Sequence, residues 1–304
     1  MKGIKIAKIF GIDIELHWSW FLIFFYFSWM LAAQVLPQLI SEQSTVAYWF
    51  FGVIIVLLLF VSVLIHELVH SKVAQLFKIS VERITLMFFG GAAQVKELSK
   101  SAKVEFWIAI AGPLSSLGMA GIFWALAKFL KTDMALVAAS LSYLFVINLI
   151  LAIFNLLPAY PMDGGRVFKT ILWAISKNEM RSLKIATRVG QAFGILMVIA
   201  GIFKFGFWFV FIGGFLFLMA PGEYKQLMAK KILSQIKAKN LMDSFPPISM
   251  HKDEEEICNA EDDLAVVLGK MAITGRFTLF VVENDKVVGI IHHANIEEYI
   301  KFKM

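Results

Sequence analysis

Two histidines four residues apart, with a glutamate beside the first, close a long apolar run: "VLIHELVH", Val63 to His70. On a helix, positions i and i+4 share a face, so His66 and His70 can reach one ion together. Glu67 lies beside them, placed to touch a water at that ion rather than the ion itself. Imidazole and carboxylate donors in a four-coordinate site suit zinc, one ion per chain. The spacing could also arise by chance, or the three side chains could simply pair with one another. The apolar setting weighs against both. A charged side chain at mid-bilayer costs about 2.5–3.5 kcal/mol, so one kept there points to a function.

A catalytic zinc takes three protein ligands and keeps a fourth position open. Two histidines therefore require a third ligand from another segment. "NLLPAYPMDGG", Asn155 to Gly165, offers Asp163. Pro158 and Pro161 break a helix there, and Gly164-Gly165 allow close backbone approach. Irregular backbone at membrane depth is tolerated only where protein buries it or water reaches it. An aspartate at this place would equally cap a helix starting near Gly164. The need for a third ligand favours the set His66, His70 and Asp163.

The elements that must position these residues are membrane helices. The chain has 304 residues and is 59% hydrophobic, and its mean hydropathy of +0.73 is far above that of a soluble domain. Apolar runs at Trp18–Leu36, Ala47–Phe77, Val104–Phe129, Met134–Leu157, Val189–Phe203 and Phe205–Met219 read as about six transmembrane helices. The last two are short for full spans and read as a tight hairpin around Lys204 and Gly206. No cleavable signal peptide is evident. Basic residues gather before the first run (Lys2, Lys5, Lys8), after the second (Lys78, Arg83, Lys96, Lys100, Lys103) and after the fourth (Arg166, Lys169, Lys177, Arg181, Lys184, Arg188). The other loops carry few: Lys131 with nearby Lys128, and Lys204. This places the protein in the cell membrane as a multi-pass protein with both termini cytoplasmic. The net charge of +6 is thereby explained without a nucleic acid partner. The one cysteine, Cys258, excludes an intrachain disulfide framework and any Cys-rich metal cluster.

Two stretches alternate with period 2 or carry paired glycines, and read as short cytoplasmic-side β-hairpins. "IKIAKIFGIDIEL" turns at Gly11, and "RITLMFFGGAAQV" turns at Gly90-Gly91. Beyond Met219 the composition changes. The expected division is 1–222 for the membrane domain, 223–239 for a basic helical linker and 240–304 for a small soluble α/β domain. In that domain Leu264, Val267, Leu268 and Met271 follow helical spacing, and Asn284-Asp285 reads as the turn between two strands.

The pair HExxH and NxxPxxPxDG, in that order on separate helices, resembles the site-2 protease family of intramembrane zinc metalloproteases. "FGIDIELHWSW", "FFGGAAQV" and "IAIAGPLSSL" are similar to that family's first strand and helix, membrane-edge strand and third core helix. The resemblance implies that His66, His70 and Asp163 hold zinc and that Glu67 is the general base. It also makes Asn155 a catalytic candidate, hydrogen-bonding the scissile carbonyl or its oxyanion. A buried amide that satisfies the broken backbone near Pro158 would account for Asn155 equally well. The implied activity is cleavage of single-span membrane protein substrates within the lipid bilayer, as in regulated intramembrane proteolysis.

A rival reading is a polytopic metal-ion transporter, since intramembrane His, Glu and Asp with broken helices suit an ion path. No internal repeat of the transporter kind stands out. A third reading, an inactive scaffold that binds membrane partners, sits poorly with a complete HExxH. Residues 240–304 resemble a CBS domain through "NLMDSFPPISM" and "FTLFVVENDKVVGIIHHANIEEYI". That resemblance implies pairing with a copy from another chain, hence a homo-oligomer, and an adenine nucleotide ligand. Against the nucleotide, His292 and Asn295 stand at motif positions where binding copies carry Ser or Thr and Asp, and Asn295 offers no carboxylate for ribose hydroxyls.

Overall fold

A computed structural model describes residues 3–87, 90–95, 101–129, 135–248 and 256–303. It divides into two compact units, Met1–Ala220 and Pro221–Met304.

The first unit opens with a sheet. Strands β1 (Ile4–Ile9) and β2 (Ile12–Leu16) are antiparallel. Phe10 and Gly11 join them, both at positive φ, 52° and 81°, as a tight right-twisted hairpin requires. β2 then pairs in parallel with β3 (Val81–Met87), which pairs antiparallel with β4 (Gly90–Val95). The two expected hairpins are thus one four-stranded sheet in the order β1-β2-β3-β4. Gly90 and Gly91 are the first residues of β4 rather than the turn itself. The turn of that hairpin lies outside the described residues, as do Lys2, Lys96, Lys100 and Lys131. One face of the sheet is closed by Ile12, Ile14, Ile84 and Leu86, packed with Trp20, Ala74 and Ile108.

Six stretches are long and apolar enough to cross a membrane: Trp18–Leu39, Thr45–Leu76, Ala102–Phe129, Ala135–Asn155, Glu179–Phe205 and Phe207–Leu233. The first comprises α1 (Trp18–Met30), a π-helical turn (Leu31–Val35) and α2 (Leu36–Leu39). The second is α3 (Thr45–Leu76), whose first turn is capped by the Ser44 hydroxyl, accepting from the Ala47 amide at 3.2 Å. Its 32 residues are about 48 Å long at helical rise, well beyond a hydrocarbon core of about 30 Å. α4 (Ala102–Phe129) and α5 (Ala135–Asn155) follow, then α6 (Asp163–Ser176), α7 (Glu179–Ala200) with a π-helical turn at Gly201–Phe205, and α8 (Phe207–Met219).

Two expectations need correction here. The fifth span is not short: helix runs from Glu179 to Phe205, 27 residues. Its first half carries the charges of Arg181, Lys184 and Arg188, which apolar patterning reads as loop. The reversal at Gly206 does fall where expected, with φ 78°. Gly194 and Gly213 then let the two helices touch: a Cβ on Gly194 would lie 2.7 Å from the Gly213 carbonyl. Second, Lys169 is not a loop charge. It lies on α6 and is 1% exposed.

The second unit holds α8's successor α9 (Gly222–Leu233), a 3₁₀ turn (Ala238–Asn240) and a sheet in the order β5-β8-β7-β6. These strands are β5 (Asp243–Ile248), β6 (Ile257–Asn259), β7 (Thr278–Glu283) and β8 (Lys286–His292), with α10 (Leu264–Thr274) and α11 (His293–Lys303). Asn284 and Asp285 form the β7–β8 turn with φ 50° and 60°. Leu264, Val267 and Met271 point into the core, and Leu268 packs against it. Leu233 and Ala238 are buried in the same core, so the segment read as a linker packs as part of this unit.

Candidate metal centre

His66 and His70 lie one turn apart in the last third of α3, on its buried face. Asp163 is the first residue of α6. The structure brings the three together. Asp163 Oδ2 is 3.0 Å from His66 Nε2 and 3.2 Å from His70 Nε2, and the two Nε2 atoms are 3.1 Å apart. These residues form a buried group able to hold a metal ion.

The chemistry of the donors favours a cation between them. His70 Nδ1 is 2.5 Å from the Ile108 carbonyl oxygen. A carbonyl only accepts, so Nδ1 carries a proton, and Nε2 is the atom turned towards His66 and Asp163. His66 Nδ1 meets the Ser116 hydroxyl at 2.9 Å. Such partners behind ligating imidazoles fix their tautomer and direction. Three acceptor atoms converging at this range are satisfied by a shared cation or by protons on the imidazoles. The spacing also fits: metal bonds of about 2.0–2.1 Å in a tetrahedron place donor atoms about 3.3 Å apart. The donor set suits zinc.

Each ligand is placed by its element. The capping role for Asp163 does not materialise: Met162 is the N-cap residue, without a side-chain cap, and Asp163 is already inside the helix. The α6 N-terminus still favours its negative charge. Arg166, one turn on, has Nη1 3.9 Å from Asp163 Oδ1. The glycines after Asp163 work as expected. A Cβ on Gly164 would lie 2.3 Å from the Leu156 carbonyl, and one on Gly165 2.4 Å from the Tyr160 amide nitrogen. Across the loop, a Cβ on Gly190 of α7 would lie 2.2 Å from the Tyr160 carbonyl oxygen. The loop broken by Pro158 and Pro161 is therefore wedged between α6 and α7, and delivers Asp163 to the imidazoles.

Glu67 is half-buried and faces β4. A Cβ on Gly91 would lie 2.4 Å from Glu67 Cγ. Asn155 is the last residue of α5, half-buried, directly before the loop that leads to Asp163. Among the described residues no hydrogen bond engages its side chain.

Sequence reasoning missed the wall behind the imidazoles. Gly112 of α4 lies against both rings: a Cβ there would be 2.0 Å from His70 Nε2 and 2.7 Å from His66 Nε2. Ser116 and the Ile108 carbonyl flank it on the same helix. The stretch "IAIAGPLSSL" was the available signal, since a glycine inside an apolar helix suggests close approach.

Comparison with known proteins adds to this geometry. Peptidase family M50 matches residues 54–136 and 130–199. Rip3 of Mycobacterium tuberculosis is 33% identical over 253 residues, 80% of this chain and 64% of that protein. The chain thus spans just under two thirds of that relative's length. A zinc metalloprotease of Methanocaldococcus jannaschii is 32% identical over 297 residues, 97% of this chain and 80% of that protein. Among solved structures, a site-2 protease from Methanocaldococcus jannaschii matches with a TM-score of 0.53 and 32% identity, over 73% of this chain and 95% of that one.

Proposed function

This chain belongs to peptidase family M50, and on that premise we propose that it is a zinc-dependent intramembrane endopeptidase. Its substrates are single-span membrane proteins, cut within the bilayer near the cytoplasmic side. The observation that carries this reading is the convergence of His66, His70 and Asp163 beside Glu67 at the end of a membrane-length helix. The rival metal-ion transporter finds no support among the relatives.

His66, His70 and Asp163 hold the ion. When bound, zinc supplies a Lewis acid that lowers the pKa of a coordinated water towards about 7. Glu67 takes a proton from the attacking water and passes it to the leaving amine. Asn155 donates its amide hydrogen to the scissile carbonyl oxygen, where charge develops. A helix in lipid keeps its amides bonded to itself, so the substrate unwinds locally. It then pairs with β4, the edge strand that runs beside Glu67. The basic loops argue that this end faces the cytoplasm, with both termini there.

The test is Glu67→Gln. Zinc content should match the wild type, while cleavage of a co-expressed single-span substrate falls by about 10²–10⁴-fold. Continued cleavage sinks the assignment. Comparative membrane proteomics of the two strains would then name the substrate by its accumulation.

The second unit resembles a CBS domain, and its proposed role is regulatory, by pairing with a copy on another chain. Asn295 Nδ2 donates to Asp243 Oδ2 at 3.3 Å, so its amide already has a partner at the place where a nucleotide would be gripped. ATP titration without a thermal shift removes adenine nucleotide from the reading.

A further inference from the structure

Lys169 is 1% exposed and Glu105 6% exposed. Lys169 Nζ lies 2.5 Å from Glu105 Oε1, in the first turn of α4, and 3.7 Å from Glu179 Oε1, at the first residue of α7. Their ion pairs with one another run outside the group formed by His66, His70 and Asp163. Stability is a weak reason to keep them. Desolvating a buried ion pair commonly costs as much as its attraction returns, and apolar residues of similar volume often do as well. What an ion pair adds is a fixed distance and direction. Both carboxylates also sit at helix N-termini, which favour negative charge, so the ammonium has two anchored partners.

The histidines stand on α3, and the three helices joined here pack around them. α4 supplies Ile108, Gly112 and Ser116 behind the imidazoles. α6 begins with Asp163. α7 supplies Gly190, against which the Tyr160 loop is wedged. Asp163 makes no N-cap bond, and within its own helix its carboxylate meets Arg166 at 3.9 Å. The imidazoles stand on α3 and are backed by α4, so Asp163's reach to them depends on where α6 stands relative to α4. Lys169 is the charged tie between those two helices.

We propose that Lys169, through Glu105 and Glu179, is a positioning residue that sets the reach of the Asp163 carboxylate to His66 and His70. The inference rests on reading those three residues as metal ligands.

The test measures zinc affinity of the full chain in detergent, by competition with a chromogenic chelator. The triple variant Lys169→Met, Glu105→Gln, Glu179→Gln removes the three charges together, so neither carboxylate is left facing an uncompensated ammonium. It should keep the metal-free melting temperature and bind zinc at least fivefold more weakly. A smaller loss overturns the proposal. A triple variant that does not fold marks the network as structural, and Glu179→Gln alone then decides. That change removes only the longer contact, and at least a threefold loss is expected; less overturns the proposal. If the wild type binds no zinc, or His66→Ala binds it equally well, the metal-site reading fails instead.

Discussion

Gly112→Ala sets two effects of known sign against each other. Within a helix, alanine is favoured over glycine by about 1 kcal/mol, so α4 alone gains stability. The new methyl, however, falls 2.0 Å from His70 Nε2 and 2.7 Å from His66 Nε2. To reach ordinary contact near 3.4 Å, the His70 ring must withdraw by about 1.4 Å. Ligand distances in a metal site hold within about ±0.2 Å, so this displacement is far outside tolerance. Losing a supporting hydrogen bond alone costs about 10–100-fold in metal affinity. A displaced ligand should cost at least the upper figure, about 2.8 kcal/mol at about 1.4 kcal/mol per tenfold. The assay pairs zinc affinity by chelator competition with the thermal melt of the metal-free chain. The expected pattern is an unchanged or slightly raised melt with zinc binding weaker by at least about 100-fold. Zinc binding within tenfold of wild type, in a folded variant, would refute the contact between Gly112 and the imidazoles.

The neighbouring sites give contrasting outcomes. Gly91→Ala places a methyl 2.4 Å from Glu67 Cγ; zinc content should stay at the wild-type level while kcat falls by about 10²-fold or more, measured on the same preparation. Ser116→Ala removes the partner of His66 Nδ1 and should weaken zinc binding by about 10–100-fold, with the helix intact by circular dichroism. Cys258 is buried, and that burial, with Asp262 nearby, pushes its thiol up to about 12. At pH 8 only about one thiol in 10⁴ is then ionised; iodoacetamide should label the folded chain negligibly and label it promptly once denaturant opens the second unit.

The proposed metal ligands were legible because helical spacing and a broken helix are local signals. His66 and His70 need only the i, i+4 rule, and Pro158, Pro161 and the paired glycines announce Asp163. The choice between ligand and cap for Asp163 was not legible, since both use the same carboxylate at the same helix start. The backing residues were invisible for another reason. Ser116 and the Ile108 carbonyl meet the histidines across 50 and 38 residues of chain, and nothing in their local patterning records the encounter. Lys169 was misread because a basic residue after an apolar run looks like a loop charge, whereas its partners Glu105 and Glu179 lie at two distant helix starts. The β-hairpins were read correctly as elements. Their union through β2 and β3 depends on α1 to α3 folding back, which strand patterning does not contain.

The centre owes much of its shape to side chains that are missing. Gly112, Gly91, Gly164, Gly165 and Gly190 each stand where one methyl would strike a ligand, the glutamate or the loop that carries Asp163. A single-base change in a glycine codon can make alanine. A gene that has lost this function can therefore still spell HExxH and NxxPxxPxDG without error. For inheritance and annotation alike, the five glycines are as informative a test of an active copy as the residues that would hold the metal.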